Sequence, residues 1–511
     1  MRSIFCFACC AILTASSQAT SYAEAERVFE VQLGPAVRNE TKTGRLIVFL
    51  IAERSKVPKQ SSPVDGPFWD DPQPLFATDV QLAGNDVAIL NDKSDCFPIP
   101  PSKLSPGKYR AQARLDVSRG NSNWRRAVGN LWSEEVSFEV TDSKERQIVQ
   151  LSLTKVVQPP SEKQVDGVEW FEVRSQLLSQ FRGSNVMLRA GVVLPHGYDS
   201  AQKFAAIYEV PGFGGDHSDA VANRRRPSEN SDAATLSKSS FRIVLDPEGP
   251  NGHSLFADSA NNGPCGQALT QELIPALEAK YPLIAAPTAR LLRGHSSGGW
   301  STLWLATRYP NVFGAAWSSA PDPVDFRRFQ KVDIYGQPNF YCDTQGADLP
   351  SLRKGDIVEM TIRQESRGED VLGPDNTSAQ QWDSWFAAFG PRNANRNPAA
   401  LFDPISGKFD SKIAECYQQF DISYLLRKNP TELTPIFRNN IRLVVGTEDS
   451  FYLNEAVALL DAELTKLGRA STDRGYVKMI PGDHGSIFGS ETVRAFPKEM
   501  LEHLRRAGHI Q

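Results

Sequence analysis

Residues 289–309 read ARLLRGHSSGGWSTLWLATRY, and the reading of the whole chain starts from them. Ala289 to Arg293 is a short apolar run of the kind that forms a buried strand. Gly298 to Tyr309 carries apolar residues at helical spacing, with Gly298 and Gly299 at its start. Between the two lies Gly294-His-Ser-Ser-Gly298, a Gly-x-Ser-x-Gly pentapeptide. With Gly and Ser each near ~7% of residues, a chain of this length holds about 0.2 such motifs by chance, so the pentapeptide alone says little. Its context says more. A serine on a sharp strand-to-helix turn is a nucleophile elbow, and glycine at the flanking positions avoids clashes with neighbouring backbone. The helix N-terminus behind Ser296 offers free N–H groups and a positive dipole end to a developing oxyanion. The glycine spacing selects Ser296 over its neighbour Ser297. A helix start with a capping serine is the plain alternative.

Outward from the elbow, strand-like runs alternate with helices. The runs are Ala205 to Val210, Phe241 to Leu245, Ala289 to Arg293, Ala315 to Ser319, Ile441 to Val445 and Tyr476 to Ile480. Helices are expected over Gln267 to Tyr281 and Gly298 to Tyr309. Near-continuous apolar strands between amphipathic helices predict an α/β fold with a mostly parallel sheet covered on both faces. The alternation stops between about Asp322 and Pro430, a long aromatic segment that reads as an insertion over the strand ends. Upstream, residues 24–157 look all-β: Val28 to Leu33, Arg45 to Ile51, Tyr109 to Val117 and Glu135 to Val140 are rich in β-branched and aromatic residues. A small β-sandwich is the simplest architecture there. Gln158-Pro-Pro160 reads as the linker, and the second domain runs over 163–511.

Length and composition bound the possibilities. At 511 residues the chain exceeds a single core. A formal charge of -4, mixed in sign along the sequence, leaves no basic stripe for a phosphate backbone, so nucleic acid is not an expected partner. Residues 1–23 read as a signal peptide: Arg2, the apolar run Ser3 to Leu13, then Ala19 or Ala23 as cleavage points. That run is too short to span a bilayer, and no other stretch reaches ~20 apolar residues. The expectation is a secreted or periplasmic protein. Beyond the signal, four cysteines remain: Cys96, Cys265, Cys342 and Cys416. They form either one or two disulfides or free thiols, and their spacing does not suit a zinc site.

A serine hydroxyl needs a base to take its proton. Where the elbow is used, the partners follow in chain order, acid and then His. Only three histidines lie beyond Ser296, and His503 and His509 belong to a charged C-terminal segment. His484, in the Pro481-Gly-Asp-His-Gly485 turn after the last strand run, is left as the base. The acid is expected to close the preceding strand, at Gly446-Thr-Glu-Asp449. Asp449 is preferred, with Glu448 as the alternative. The oxyanion hole is expected to use the N–H groups of Ser297 and of Phe213, with Gly214 as the alternative, in the glycine-rich turn Pro211-Gly-Phe-Gly-Gly-Asp216. No metal or cofactor is implied.

Taken together, Pro211-Gly-Phe-Gly-Gly215, Gly294-His-Ser-Ser-Gly-Gly299, Gly446-Thr-Glu-Asp449 and Gly482-Asp-His-Gly485 resemble the putative-esterase family of the α/β-hydrolase fold, over roughly Val173 to Gly508. Feruloyl, acetyl-xylan and enterochelin esterases and the mycolyltransferases belong to that family. The resemblance implies carboxylic-ester hydrolysis with Ser296, Asp449 and His484 as triad, and Phe213 as second oxyanion donor. The substrate expected is a small-molecule or saccharide ester. An acyltransferase or a peptidase on the same triad is an alternative, as is a silent hydrolase fold that binds carbohydrate. The insertion is larger than compact members carry. Within it Trp382 and Trp385 line a substrate pocket or, with Phe386 and Phe389, form a packing stripe.

Overall fold

The computed structural model describes residues 26–118, 123–124, 126–143, 145–159, 164–224, 228–229, 231–468, 470 and 472–511. The expected signal peptide and much of the expected linker lie outside them.

The first part is a sheet of nine strands: β1 (Arg27–Leu33), β2 (Lys42–Ala52), β3 (Leu75–Leu82), β4 (Val87–Leu90), β5 (Asp95–Phe97), β6 (Gly107–Asp116), β7 (Leu131–Ser133), β8 (Val136–Val140) and β9 (Gln147–Val156). Hydrogen bonding follows the order β4-β1-β9-β7-β6-β2-β3-β5, with β8 also on β6. The strands wrap round one apolar core that includes Phe29, Val31, Val48, Phe76, Leu115 and Leu151. This is the all-β unit expected ahead of the second sheet, with one refinement: its nine strands belong to one continuously paired sheet.

The second sheet has eight strands: β10 (Val168–Ser175), β11 (Val186–Val193), β12 (Ala205–Val210), β13 (Ser240–Leu245), β14 (Arg290–His295), β15 (Ala315–Ser319), β16 (Ile441–Gly446) and β17 (Tyr476–Ile480). Their order is β10-β11-β13-β12-β14-β15-β16-β17. The first two pairings are antiparallel and the rest parallel. Every residue of β15 and β16 is buried, whereas the edge strands β10 and β17 carry exposed charges that discourage edge pairing. This is the α/β-hydrolase architecture.

Five helices flank the site or join the two sheets: α1 (Asp232–Ser239), α2 (Ser297–Arg308), α3 (Ile362–Leu372), α4 (Gln381–Phe389) and α5 (Phe496–Arg506). α1 and α5 cover one face of the second sheet, where Leu236, Phe496, Met500 and Leu504 pack on Ile207, Leu291, Trp317 and Val444. α2 and the segment between β15 and β16 cover the other face with a large aromatic core. Among the described residues, no helix is long and apolar enough to cross a membrane.

The segment between β15 and β16 also reaches the first sheet. Val371 and Leu372, in the last turn of α3, pack with Ile47, Phe49, Leu75 and Phe97. The buried Arg45 guanidinium donates to the Val371 carbonyl at 3.2 and 2.9 Å. Glu369 of the same helix accepts from the N–H groups of Trp382 and Asp383, both at 3.1 Å, so a carboxyl group sits at the N-terminus of α4.

The four described cysteines are free thiols. Cys265 is buried, and burial pushes its pKa up to about 12. The polar turn at Asp258 caps the helix that begins at Cys265: its carboxylate accepts from the Gly266 and Gln267 N–H groups at 2.8 and 3.2 Å.

Candidate active site

β14 delivers Ser296 to the start of α2 through a turn in which Ser296 has φ 57° and ψ -126°. A non-glycine residue there is strained, and such strain persists only where the surroundings impose it. Here they do. A β-carbon at Gly294 would collide with the Gly298 carbonyl, and one at Gly298 with the Val210 carbonyl of β12. The two glycines therefore allow strand, turn and helix to close up. The backbone is held further by Ser296 N–H donating to Ser319 O at 3.0 Å and Asp322 N–H donating to Ser296 O at 3.2 Å.

β16 ends at Gly446, and Asp449 follows one turn later, completely buried. One of its oxygens accepts from the N–H groups of Phe451 and Leu453 at 3.0 and 3.3 Å. The other lies 2.8 Å from His484 Nδ1. An ionised carboxylate only accepts, so the Nδ1 proton is assigned to the imidazole and Nε2 is left as the acceptor. Glu448, the alternative, is exposed. His484 itself projects from the turn after β17, with its ring 4.9 Å from Phe451 and 4.5 Å from His295 between centroids. His295 immediately precedes Ser296, so the base candidate is packed against the elbow. Burial, then the charge of His484, pushes His295 down to about 3, which keeps it neutral. Neither the Ser296 hydroxyl nor His484 Nε2 makes a hydrogen bond among the described residues.

The turn Pro211–Asp216 passes beside the elbow: a β-carbon at Gly212 would be 3.5 Å from Ser296 Cβ. The N–H groups of Phe213 and Ser297 have no acceptor among the described residues, as an oxyanion hole requires. His253 steadies this turn from below. Its Nδ1 accepts from Leu255 N–H at 3.1 Å, so Nε2 carries the proton and donates to Pro211 O at 3.0 Å. Burial pushes His253 down to about 4. At the other end of the turn Asp216 pairs with Arg126 of the first domain.

Trp382 and Trp385 are placed otherwise than a pocket wall requires. They are 1% and 2% exposed and pack with Phe329, Phe340 and Phe402 in the core. The correction has a simple cause: the aromatic residues of α4 recur at one-turn spacing, which buries them together.

Trp385 nevertheless bears on the site through a residue that the sequence motifs do not reveal. Its indole N–H donates to Asp322 Oδ2 at 2.8 Å, and the same oxygen accepts the Ser297 hydroxyl at 2.7 Å. Ser297 is completely buried with its hydroxyl so engaged. The one signal in the sequence is position: Asp322 follows the carboxyl end of β15, next to the elbow strand. Burial pushes Asp322 up to about 6, against its hydrogen bonds and the charge of His484. A carboxyl pKa raised in the folded state means that the folded chain binds this proton more tightly than the unfolded chain does. Stability is therefore lost as pH rises from about 4 to about 6, by about 3 kcal/mol in all. The D322N variant lacks this titration. Its stability relative to the parent protein is expected to rise by that amount between pH 4 and pH 7 in urea unfolding. An unchanged difference across that range would show that the group does not titrate so.

A model of the family described as Putative esterase matches residues 185–507, well over half of the chain. The chain belongs to the putative esterase family. It is a carboxylic ester hydrolase of the α/β-hydrolase fold. Solved structures similar to this esterase include FphF, a fluorophosphonate-binding serine hydrolase of Staphylococcus aureus, at 14% identity and TM-score 0.37, covering 65% of this chain and 98% of that one. An S-formylglutathione hydrolase from Agrobacterium tumefaciens is 14% identical with TM-score 0.40, covering 67% and 98%. A ferulic acid esterase from Anaeromyces mucronatus is 16% identical with TM-score 0.32, covering 64% and 89%. No curated protein matches the esterase by sequence.

Proposed function

We propose that the esterase is a secreted serine hydrolase of small-molecule or saccharide esters, working through an acyl-enzyme on Ser296. The Ser296 hydroxyl attacks the ester carbonyl carbon while His484 Nε2 takes its proton. Negative charge that gathers on the carbonyl oxygen is met by the N–H groups of Phe213 and Ser297. The tetrahedral adduct collapses, the carbon–oxygen bond to the alcohol breaks, and His484 returns the proton to the departing oxygen. Water activated by the same imidazole then attacks the acyl-enzyme and restores the serine. Asp449 holds the imidazole in the tautomer this requires and stabilises the imidazolium without taking a proton.

The observation that supports this reading best is the packing of an Asp449-oriented imidazole against the residue preceding a strained serine. A fluorophosphonate probe should label the full chain, and Ser296→Ala should abolish the label. Labelling that survives the substitution would remove the proposal. Export rests on Arg2, the apolar run that follows it and the small residues at Ala19 and Ala23. Sequencing the exported protein should read an N-terminus just after Ala19 or Ala23, and an intact Met1 in the mature protein would contradict it.

A further inference from the structure

A cavity of about 300 Å³ lies where the first domain meets the oxyanion turn, with Pro67, Trp69 and Trp124 from the first domain, Phe213 and Gly214 from the turn, and Gln380 from the start of α4 among its walls. Its size is at the lower end of what small-molecule sites occupy. The turn that lines it also passes beside Ser296.

The walls are built rather than incidental. Trp69 rests on α3, where a β-carbon at Gly368 would come within 2.8 Å of the indole. Trp124 is fixed by its N–H donating to Val64 O at 3.2 Å and by the Arg114 guanidinium 4.1 Å from its ring. The Arg126–Asp216 pair ties the turn itself to the same domain. Gln380 is only 5% exposed, and its backbone is held by Ser378 Oγ at 3.1 Å. Yet its carboxamide makes no hydrogen bond among the described residues, and neither does the Trp69 indole N–H. Trp69 is half-buried, and neither group is sealed off from the cavity, so both are open to a ligand there. Both belong to the wall of one cavity.

Resting on the reading of Ser296 as nucleophile, we propose that this cavity is a substrate subsite in which the first domain and Gln380 recognise a hydroxyl-bearing ring on one side of the ester. Two indoles and a proline give flat apolar walls for a ring face. The carboxamide supplies both a donor and an acceptor to a ring hydroxyl, and the Trp69 N–H supplies a second donor. A phenol and a pyranose share this chemistry.

The test compares kcat/KM for methyl 3-(4-hydroxyphenyl)propanoate and methyl 6-O-acetylglucopyranoside with that for methyl propanoate, using the full chain. At least one ring ester is expected to exceed the ring-free ester by about tenfold or more, since a site built to hydrogen-bond a hydroxyl discriminates against a substrate that lacks it. Which ester does so identifies the source of the ring. Q380A and W69F, which keep the cavity walls largely in place, should each reduce that ratio by about tenfold. Absence of ring preference in the parent protein, or an equal loss on ring and ring-free esters in both variants, would overturn the proposal. The ratio is read whichever residue is the nucleophile. Failure here therefore leaves Ser296 labelling intact, and failure of Ser296 labelling leaves the ratio interpretable.

Discussion

Ser296→Ala is expected to lower kcat on p-nitrophenyl acetate by on the order of a million-fold, the scale seen when a serine nucleophile is removed from a triad. The size follows from what the substitution takes away. No covalent intermediate can form, yet the N–H groups of Phe213 and Ser297 remain to polarise a bound carbonyl, so a residual rate above that of water is expected to survive. The variant should fold, because the strained backbone at residue 296 is imposed by Gly294, Gly298 and the bond to Ser319 rather than by the hydroxyl. Steady-state rates with an active-site titration measure the effect. A variant that keeps even a hundredth of the parent rate would exclude Ser296. It would turn attention to Ser297, whose hydroxyl would first have to leave the buried Asp322.

Asp449→Asn is expected to lower kcat by about ten-thousand-fold. The carboxylate accepts from His484 Nδ1 and from two backbone N–H groups, so an amide at this position must direct its N–H₂ towards a donor. The adjustment that satisfies the substituted amide moves the imidazole proton to Nε2, and that tautomer cannot accept from Ser296. Fluorophosphonate labelling should slow with kcat, because it needs the same proton transfer. If the variant retains a tenth or more of the parent rate, the imidazole is being oriented by another group.

The alternating α/β half is legible in the sequence because its central strands are buried on both faces and need no partner to declare themselves. β12, β15 and β17 begin and end where the apolar runs do. β10 and β11 are not, since β10 mixes Glu169, Glu172 and Arg174 with its apolar residues as an edge strand does. In the first domain β3 and β9 are hidden for a related reason: Asp79 and Gln81 break the apolar run of β3, and only alternate residues over the middle of β9 are buried. The site divides the same way. Ser296, Asp449 and His484 sit at strand ends, where chain order and local motif are informative. Asp322 and His253 act through contacts between segments far apart in sequence, which no local pattern records. Trp385 shows the limit most plainly. Its spacing is that of a packing stripe and its burial agrees, while its one polar atom reaches the buried carboxylate beside the elbow.

The last turn of α3, which covers Ile47, Phe49, Leu75 and Phe97, belongs to a segment made long after the strands it covers. On the ribosome the all-β unit must therefore emerge with an apolar face bare, and stay so until the helix has been synthesised. Such a face is a ready site for misassembly during that interval. A holding chaperone would find its opportunity there, before either half of the molecule has met the other.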